Sequence, residues 1–262
     1  MNTDNMMTLT LRKGDEMTAC DAQELYRDYR EFAELSHLYQ AAIRQLTIKF
    51  EILNDEFKYK YERSPIHHIE SRMKSPASIV KKLIKKDRPI TVDSAKETLN
   101  DIAGVRVVCC YIDDVYAVAD MLLRQSDIRL VKEQDYIKHP NYNGYRSLHL
   151  DIEIPIYLAE RTEKVRAEVQ IRTVAMDFWA SVEHKVRYKK NIPDSEAEQL
   201  AAELSSCADQ IAAMDNKMEE IRRRIAEAEE REAENSPAKQ PQTIGGVMLK
   251  KRLESGRFPF KK

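Results

Sequence analysis

The sequence predicts an α+β fold, a mixed β-sheet core with helices packed on it and a long helix flanking it on each side. Three observations carry that prediction. Two long stretches repeat apolar residues in steps of 4 and 3, the signature of one buried helical face. Between them lie short runs rich in β-branched residues, which suit strands. The strand-like runs are separated by helix-start signals, and glycine is so scarce that Gly104 and Gly144 alone punctuate everything between Gly14 and Gly245.

From Asp15 to Ser64 there is no Gly or Pro, and Leu25, Tyr29, Phe32, Tyr39, Ile43, Leu46, Phe50, Leu53 and Phe57 form one stripe, predicting a long helix or a helical pair. Ser75 followed by Pro76 offers a polar cap and a proline suited to the first turn, so a helix is expected over Ala77 to Lys86, after a strand or loop ending at Lys74. Gly104 to Ile112 reads as a buried strand, and Asp113 and Asp114 are expected to cap a helix from Val115 to Arg124. Further strands are predicted at Ile128 to Glu133, Ser147 to Ile154 and Val165 to Ile171, with a turn at Asn143 and Gly144. Thr173 opens a helix over Val174 to Lys189, in which Trp179 is expected in the core. A last helix places Leu200, Leu204, Cys207, Ile211, Met214, Met218, Ile221, Ile225 and Ala228 on one stripe that should pack on something.

The domain plan follows: residues 1–20 disordered, one domain over 21–235 with its core at 72–190 and flanking helices at 21–62 and 195–233, and a disordered tail at 236–262. With 42% hydrophobic residues in 262 there is material for a core, which excludes wholesale disorder. No apolar run approaches the ~20 residues of a membrane span, and no secretory signal opens the chain, so a cytoplasmic protein is expected. Four cysteines without C-x-x-C spacing exclude a zinc site or a disulfide scaffold. Charge is segregated. Arg72 to Arg88 holds seven bases and one acid, Glu196 to Glu234 twelve acids and five bases, and the tail seven bases and one acid. Such runs are usually solvated faces, but the first abuts a helix start.

There, Arg72, Lys74, Ser78 and Lys82 surround a helix N-terminus, where backbone N–H groups and cations suit a polyphosphate or a nucleic acid. Two carboxylates flank the predicted core strands, Asp101 before one and Glu168 on another. Glu168, Gln170 and Arg172 alternate with Val169 and Ile171, so one strand face is polar and the other apolar; a solvent-facing strand would look the same. Carboxylates from separate strands are one way to hold Mg²⁺ against phosphates. Arg106 follows Gly104, which would allow close approach, and its bland alternative is an ion pair with Asp101. The segment from Tyr136 to His149 sets Tyr145 on a glycine turn among Lys138, Asn143, Arg146 and His149, which suits stacking a base. A plain hairpin would look similar. No P-loop, dinucleotide turn, serine elbow or H-E-x-x-H motif occurs.

The motifs RMKSPASIVKK, DIAGVRVV, YNGYRSLHL and EVQIRTVAMDFWASVEHKVRYK, in that order, resemble the synthetase domain of RelA/SpoT-type alarmone synthetases, and most closely the stand-alone small alarmone synthetases. The resemblance runs from about Glu24 to Ala226. It implies a nucleotidyltransferase-like sheet core and transfer of pyrophosphate from ATP to the 3′-hydroxyl of GDP or GTP, giving AMP and ppGpp or pppGpp in the bacterial stringent response. By the same resemblance, Arg72 and Arg106 clasp the adenine while Lys74, Ser78 and Lys82 hold the ATP phosphates. Asp101 and Glu168 bind Mg²⁺, Glu168 activates the acceptor hydroxyl, and Gln170 positions it. Tyr145 stacks on guanine, with Asn143, His149 and Asp177 in the acceptor pocket.

The chain departs from the family's pattern in places. Many relatives carry K-P-N-G-Y where this chain has Asn141-Tyr142-Asn143-Gly144-Tyr145, so Lys138 is the candidate for the missing phosphate-binding lysine. His68 and Glu70 stand where relatives stimulated by pppGpp carry an aromatic and a threonine. No His-Asp dipeptide marks a hydrolase domain, so synthesis alone is expected. Family analogy further implies a homotetramer built through the flanking helices. The competing readings are a single-stranded RNA-binding module using the basic segments and a purely structural helical oligomer.

Overall fold

In the computed structural model, residues 19–187 and 194–235 are described. The first described element is α1 (Ala19–Tyr61), a single helix of 43 residues rather than a pair. Its predicted stripe is buried from Tyr39 onward: Tyr39, Ile43, Leu46, Phe50, Leu53 and Phe57 all face the core, joined by Leu35, Leu38 and Ala42. The chain then turns into β1 (Ile66–Met73), followed by α2 (Pro76–Lys85) and the short α3 (Val92–Thr98). Next come β2 (Ala103–Cys109), α4 (Ile112–Leu123), β3 (Arg129–Asp135), β4 (Leu148–Tyr157), β5 (Thr162–Thr173), α5 (Val174–Arg187) and α6 (Asp194–Asn235).

The five strands form one mixed sheet in the order β1-β2-β5-β4-β3. The central pair, β2 and β5, is parallel, and the other three pairings are antiparallel. Alternation then decides what each face carries. In β4 every second residue from Leu148 to Ile156 is buried, and in β5 the same holds from Val165 to Ile171. These side chains, with Val105, Val107 and Cys109 of β2, pack in one core under α1 and α4. The opposite face is polar, and it carries the site described below.

Several elements differ from the sequence-based expectation. Asp113 and Asp114 lie inside the first turn of α4 rather than capping it; Tyr111 occupies the cap without a side-chain hydrogen bond. Both acids still face the positive end of the helix dipole, and Asp114 is buried in an ion pair with Arg63 at 2.8 Å. β4 runs on through Pro155, which has no N–H to donate. Its pairing with β3 ends at Glu153, so Pro155 pairs only with Lys164 of β5 and tolerates the missing donor. Gly144 sits at φ +86°, and a Cβ there would lie 2.5 Å from the Ala208 side chain, so the turn requires glycine. Gly104 differs: a Cβ would meet only the Arg72 carbonyl, at 3.5 Å, an ordinary contact.

The chain divides after Glu219 into two compact units. Within the first, α6 turns an unexpected side to its neighbours. Met214 and Met218 of the predicted apolar stripe are 59% and 52% exposed, whereas Ala208, Asp215 and Glu219 are buried. Asp215 accepts a hydrogen bond from the Thr173 hydroxyl, and Trp179 of α5, a core residue as expected, donates its indole N–H to the Leu204 carbonyl at 2.9 Å. The second unit contributes, among the described residues, the end of α6. The expected disordered segments, apart from Ala19 and Cys20 at the start of α1, and the expected extension of α5 to Lys189 lie outside the described residues. No described helix is long and apolar enough to cross a membrane.

Candidate active site

Register places the polar side chains in rows across the sheet. One row runs Arg72, Gly104, Glu168, Asp151 and the next Glu70, Arg106, Gln170, His149, taken in order across β1, β2, β5 and β4. Residues facing one another across strands share a face, so Gly104 leaves bare backbone between Arg72 and Glu168. That bare floor, rather than any crowding in the fold, is what a side chain at 104 would fill.

The first cluster gathers at the entrance to β2. Ser75 caps α2, accepting from the Ser78 N–H at 3.3 Å, with the two hydroxyls 2.8 Å apart. Lys74 and Lys82 place their ammonium groups 2.8 and 2.7 Å from the same oxygen of Asp101, Oδ2. Burial alone would raise the Asp101 carboxyl; the hydrogen bonds and charges of the two lysines outweigh it and hold the pKa below the usual carboxylate range. The other oxygen, Oδ1, is buried with no hydrogen-bond partner.

Asn100, next to Asp101, donates to Asp151, the β4 residue paired with Glu168, which brings the second carboxylate to the same end of the sheet. Glu168 Oε2 accepts from the Gln170 amide at 2.8 Å, and His149 Nδ1 lies 3.5 Å from Oε1. Burial pushes this carboxyl up as well, but His149 and Gln170 bring it below the usual range, so it is ionised at neutral pH. The His149 Nε2 is 2.8 Å from the Tyr145 hydroxyl, and the Tyr136, Tyr145 and His149 rings meet edge to face at 5.1–5.9 Å. Burial raises the Tyr145 pKa, offset in part by Arg172 and Ser147.

The third cluster is Arg106, Glu70, Asp177 and Arg172. Arg106 does not pair with Asp101: the strand carries it to a position opposite Glu70, which it meets at 2.8 Å, with Asp177 at 3.7 Å. Arg172, 2% exposed, sets its Nε 3.1 Å from the same Asp177 oxygen.

The structure thus brings Lys74, Lys82, Asp101, Glu168, Gln170 and His149 together, with Tyr145 hydrogen-bonded to His149. Arg72 is exposed in the same row as Glu168. Asn143 shapes the turn, accepting from Tyr145 N and donating to Glu183. Lys138 stands apart: its ammonium lies 3.1 Å from Asp135 and 4.7 Å from the Tyr116 ring centroid, beside α4. Arg172 and Glu70 are not among the candidate catalytic, binding or metal residues read from the sequence. The alternation of Glu168, Gln170 and Arg172 was the signal for the first, while an arginine pairing with Glu70 leaves no local signature.

A divalent cation fits the pair Asp101 and Glu168. Both are hard oxygen donors, both are ionised, and Asp101 Oδ1 is a buried acceptor without a partner. Among the described residues no three of His, Cys, Asp and Glu form a metal cluster. Two carboxylates with the remaining positions left to phosphate and water is how Mg²⁺ is commonly held.

Residues 71–193 match the family model described as the region found in RelA / SpoT proteins. The chain is 46% identical to the GTP pyrophosphokinase YwaC of Bacillus subtilis over 188 residues, covering 72% of this chain and 89% of that protein. Among solved structures, it resembles the small alarmone synthetase 1 of Bacillus subtilis bound to its product pppGpp, with TM-score 0.67 and 33% identity over 75% of this chain and 98% of that one. The same enzyme bound to AMPCPP gives TM-score 0.61 and 30% identity, covering 75% and 98% of the two chains. With the sheet, the motif order and a relative matched over most of its length, the chain belongs to the RelA/SpoT family, among its small alarmone synthetases, the GTP pyrophosphokinases.

Proposed function

We propose that the polar face transfers the terminal pyrophosphoryl group of ATP to the 3′-hydroxyl of GDP or GTP, giving AMP and ppGpp or pppGpp, the alarmones of the bacterial stringent response. One observation carries the reading most: Asp101 and Glu168, distant in sequence, lie at one end of the polar face, linked through Asn100 and Asp151, with Lys74 and Lys82 drawn onto the first. Transfer of this kind needs charge neutralisation and in-line positioning more than covalent chemistry.

In this reading Lys74, Ser78 and Lys82 receive the ATP phosphates at the start of α2, and Arg72 and Arg106 pack on the adenine. Glu168 takes the proton of the acceptor 3′-hydroxyl as its oxygen bonds to the β-phosphorus; the bond from that phosphorus to the α-phosphate oxygen breaks and AMP leaves. Gln170, held on Glu168, orients the hydroxyl. Asp101 and Glu168 hold Mg²⁺, which supplies charge neutralisation on the phosphates. Tyr145 stacks on the guanine, with Asn143, His149 and Asp177 around the acceptor; Lys138, drawn to Asp135 and the Tyr116 ring, takes no part in this reading. The ligands bound to the Bacillus enzyme, pppGpp and AMPCPP, support a guanine alarmone product and an adenine donor. The flanking helices are the surfaces for a homotetramer, and the exposed Met214 and Met218 support self-association there. No observation favours the single-stranded RNA reading.

The test is incubation of the chain with labelled ATP, Mg²⁺ and GDP or GTP, followed by separation of the nucleotides. AMP and a 3′-pyrophosphorylated guanine nucleotide should appear in equal amounts. Failure of either to form with both acceptors overturns the assignment.

A further inference from the structure

Asp101 is pulled from one side only by the groups discussed so far. Lys74 on β1 and Lys82 on α2 both bind its Oδ2. Left to these two cations, the short connection from α3 into β2 would be drawn towards α2 and away from Glu168. The residue immediately before Asp101 supplies the opposing hold. Asn100 donates its Nδ2 to Asp151 Oδ2 at 2.8 Å, and Asp151 is the β4 residue paired with Glu168. The Asn100 side-chain oxygen, Oδ1, accepts from Arg166 at 3.3 Å, and the same guanidinium nitrogen donates to the Glu97 backbone carbonyl at 3.0 Å. Arg166 has only donors, so it dictates which way the Asn100 amide faces and turns the NH₂ group to Asp151. Leu99 and Ile102, on either side, are buried at 0% and 1% exposure, so the four-residue connection is pinned at both ends as well.

We propose that Asn100, Asp151 and Arg166 form a clamp that positions Asp101 for the divalent cation. It acts through a hydrogen bond to the neighbouring residue and through the backbone, not by touching substrate or metal. The clamp holds the connection over the β5–β4 side of the sheet, so that the lysines occupy Oδ2 while the unpartnered Oδ1 stays available for the ion shared with Glu168. Asn100 and Asp151 are positioning residues, and the inference rests on the reading of the site given under Proposed function.

The test measures Mn²⁺ binding by electron paramagnetic resonance, with the full chain and a non-hydrolysable ATP analogue. Asn100→Ala and Asp151→Ala should each weaken Mn²⁺ binding roughly tenfold, as loss of an outer-sphere partner does, and raise the Mg²⁺ needed for half-maximal turnover by the same factor. GDP affinity should stay within about twofold, since the clamp acts on the placement of a cation ligand and not on the acceptor pocket. Asp151→Asn keeps an oxygen that can accept from Asn100 and should bind Mn²⁺ within about twofold of the unaltered chain. If Asn100→Ala does not fold, Arg166→Met serves instead: it frees the amide to turn and should weaken Mn²⁺ binding by about threefold. Unchanged metal binding in the alanine variants overturns the clamp, as does an Asp151→Asn variant as weak as Asp151→Ala, which would make the charge the active feature. An unaltered chain that binds no Mn²⁺ instead overturns the reading of the carboxylate pair itself.

Discussion

The two faces of the sheet are built from the same strands and serve different ends. On one, Val165, Ala167, Val169 and Ile171 of β5 meet Leu148, Leu150, Ile152 and Ile154 of β4 under α1 and α4, all nearly inaccessible to water. On the other, the residues between them, Glu168, Gln170 and His149, hold one another by hydrogen bonds and charge. A shift of one position along the chain passes from groups whose loss creates a cavity to groups whose loss removes a proton acceptor. Stability and turnover should therefore separate cleanly between adjacent residues, and variants that fail to separate them break the comparison.

The largest effect is expected at Glu168. Glu168→Gln keeps the shape and removes the base, so turnover should fall on the order of a thousandfold. The melting temperature should move little, because no apolar contact is lost. Near-normal turnover would show that the proton leaves by another route. Ile154→Ala, on the apolar face and away from the carboxylate row, should do the reverse. Denaturant titration should show a loss of about 3 kcal/mol, while turnover per folded molecule stays as it was.

Tyr145 sharpens the comparison within the polar face. Tyr145→Ala should raise the KM for GDP or GTP about tenfold, the worth of one stacked base, and leave the KM for ATP nearly unchanged. Tyr145→Phe keeps the ring and removes the hydroxyl that meets His149. It should restore most of the acceptor affinity. If it does not, the hydroxyl rather than the ring carries the effect, and steady-state kinetics with each acceptor will tell the two apart.

How much of this was legible in the sequence depends on the range of the signal. The Ser75–Pro76 helix start, the stripe of α1 and the alternation on β5 are local patterns, and the structure has each of them. β1 reads from sequence as strand or loop because His67, His68, Glu70, Ser71 and Arg72 give it little apolar alternation; it is an edge strand with one polar face. α3 has seven residues and no stripe to detect. In the site, Asp101 and Glu168 could be named as candidates from their surroundings in the chain. The arrival of Asp101 beside the row that holds Glu168, and the pairing of Arg106 with Glu70, depend on registers among strands far apart in sequence, which alternation alone does not set. The stripe of α6 misled for a further reason: periodicity shows that a helix has an apolar side, not that this side faces its own chain.

That helix supplies the smallest expected effect, and it opposes the active-site carboxylates in sign. Burial raises the Asp215 pKa; the Thr173 hydroxyl lowers it in part, and the Glu219 charge adds to the rise. A carboxyl raised in the folded state binds protons there more readily than in the unfolded chain. Its contribution is fully favourable at pH below the unfolded value and is lost as pH climbs through the folded one. Asp101, whose folded pKa is lowered, contributes above the unfolded value and loses that contribution as pH falls through the folded one. Asp215→Asn keeps an acceptor for Thr173 and removes the charge beside Glu219. At pH 8 it should stabilise the fold by no more than about 1 kcal/mol, and the gain should vanish towards pH 3. Denaturant midpoints at the two pH values measure it, and a variant less stable than the parent at pH 8 would mean that α6 docks through the ionised carboxylate.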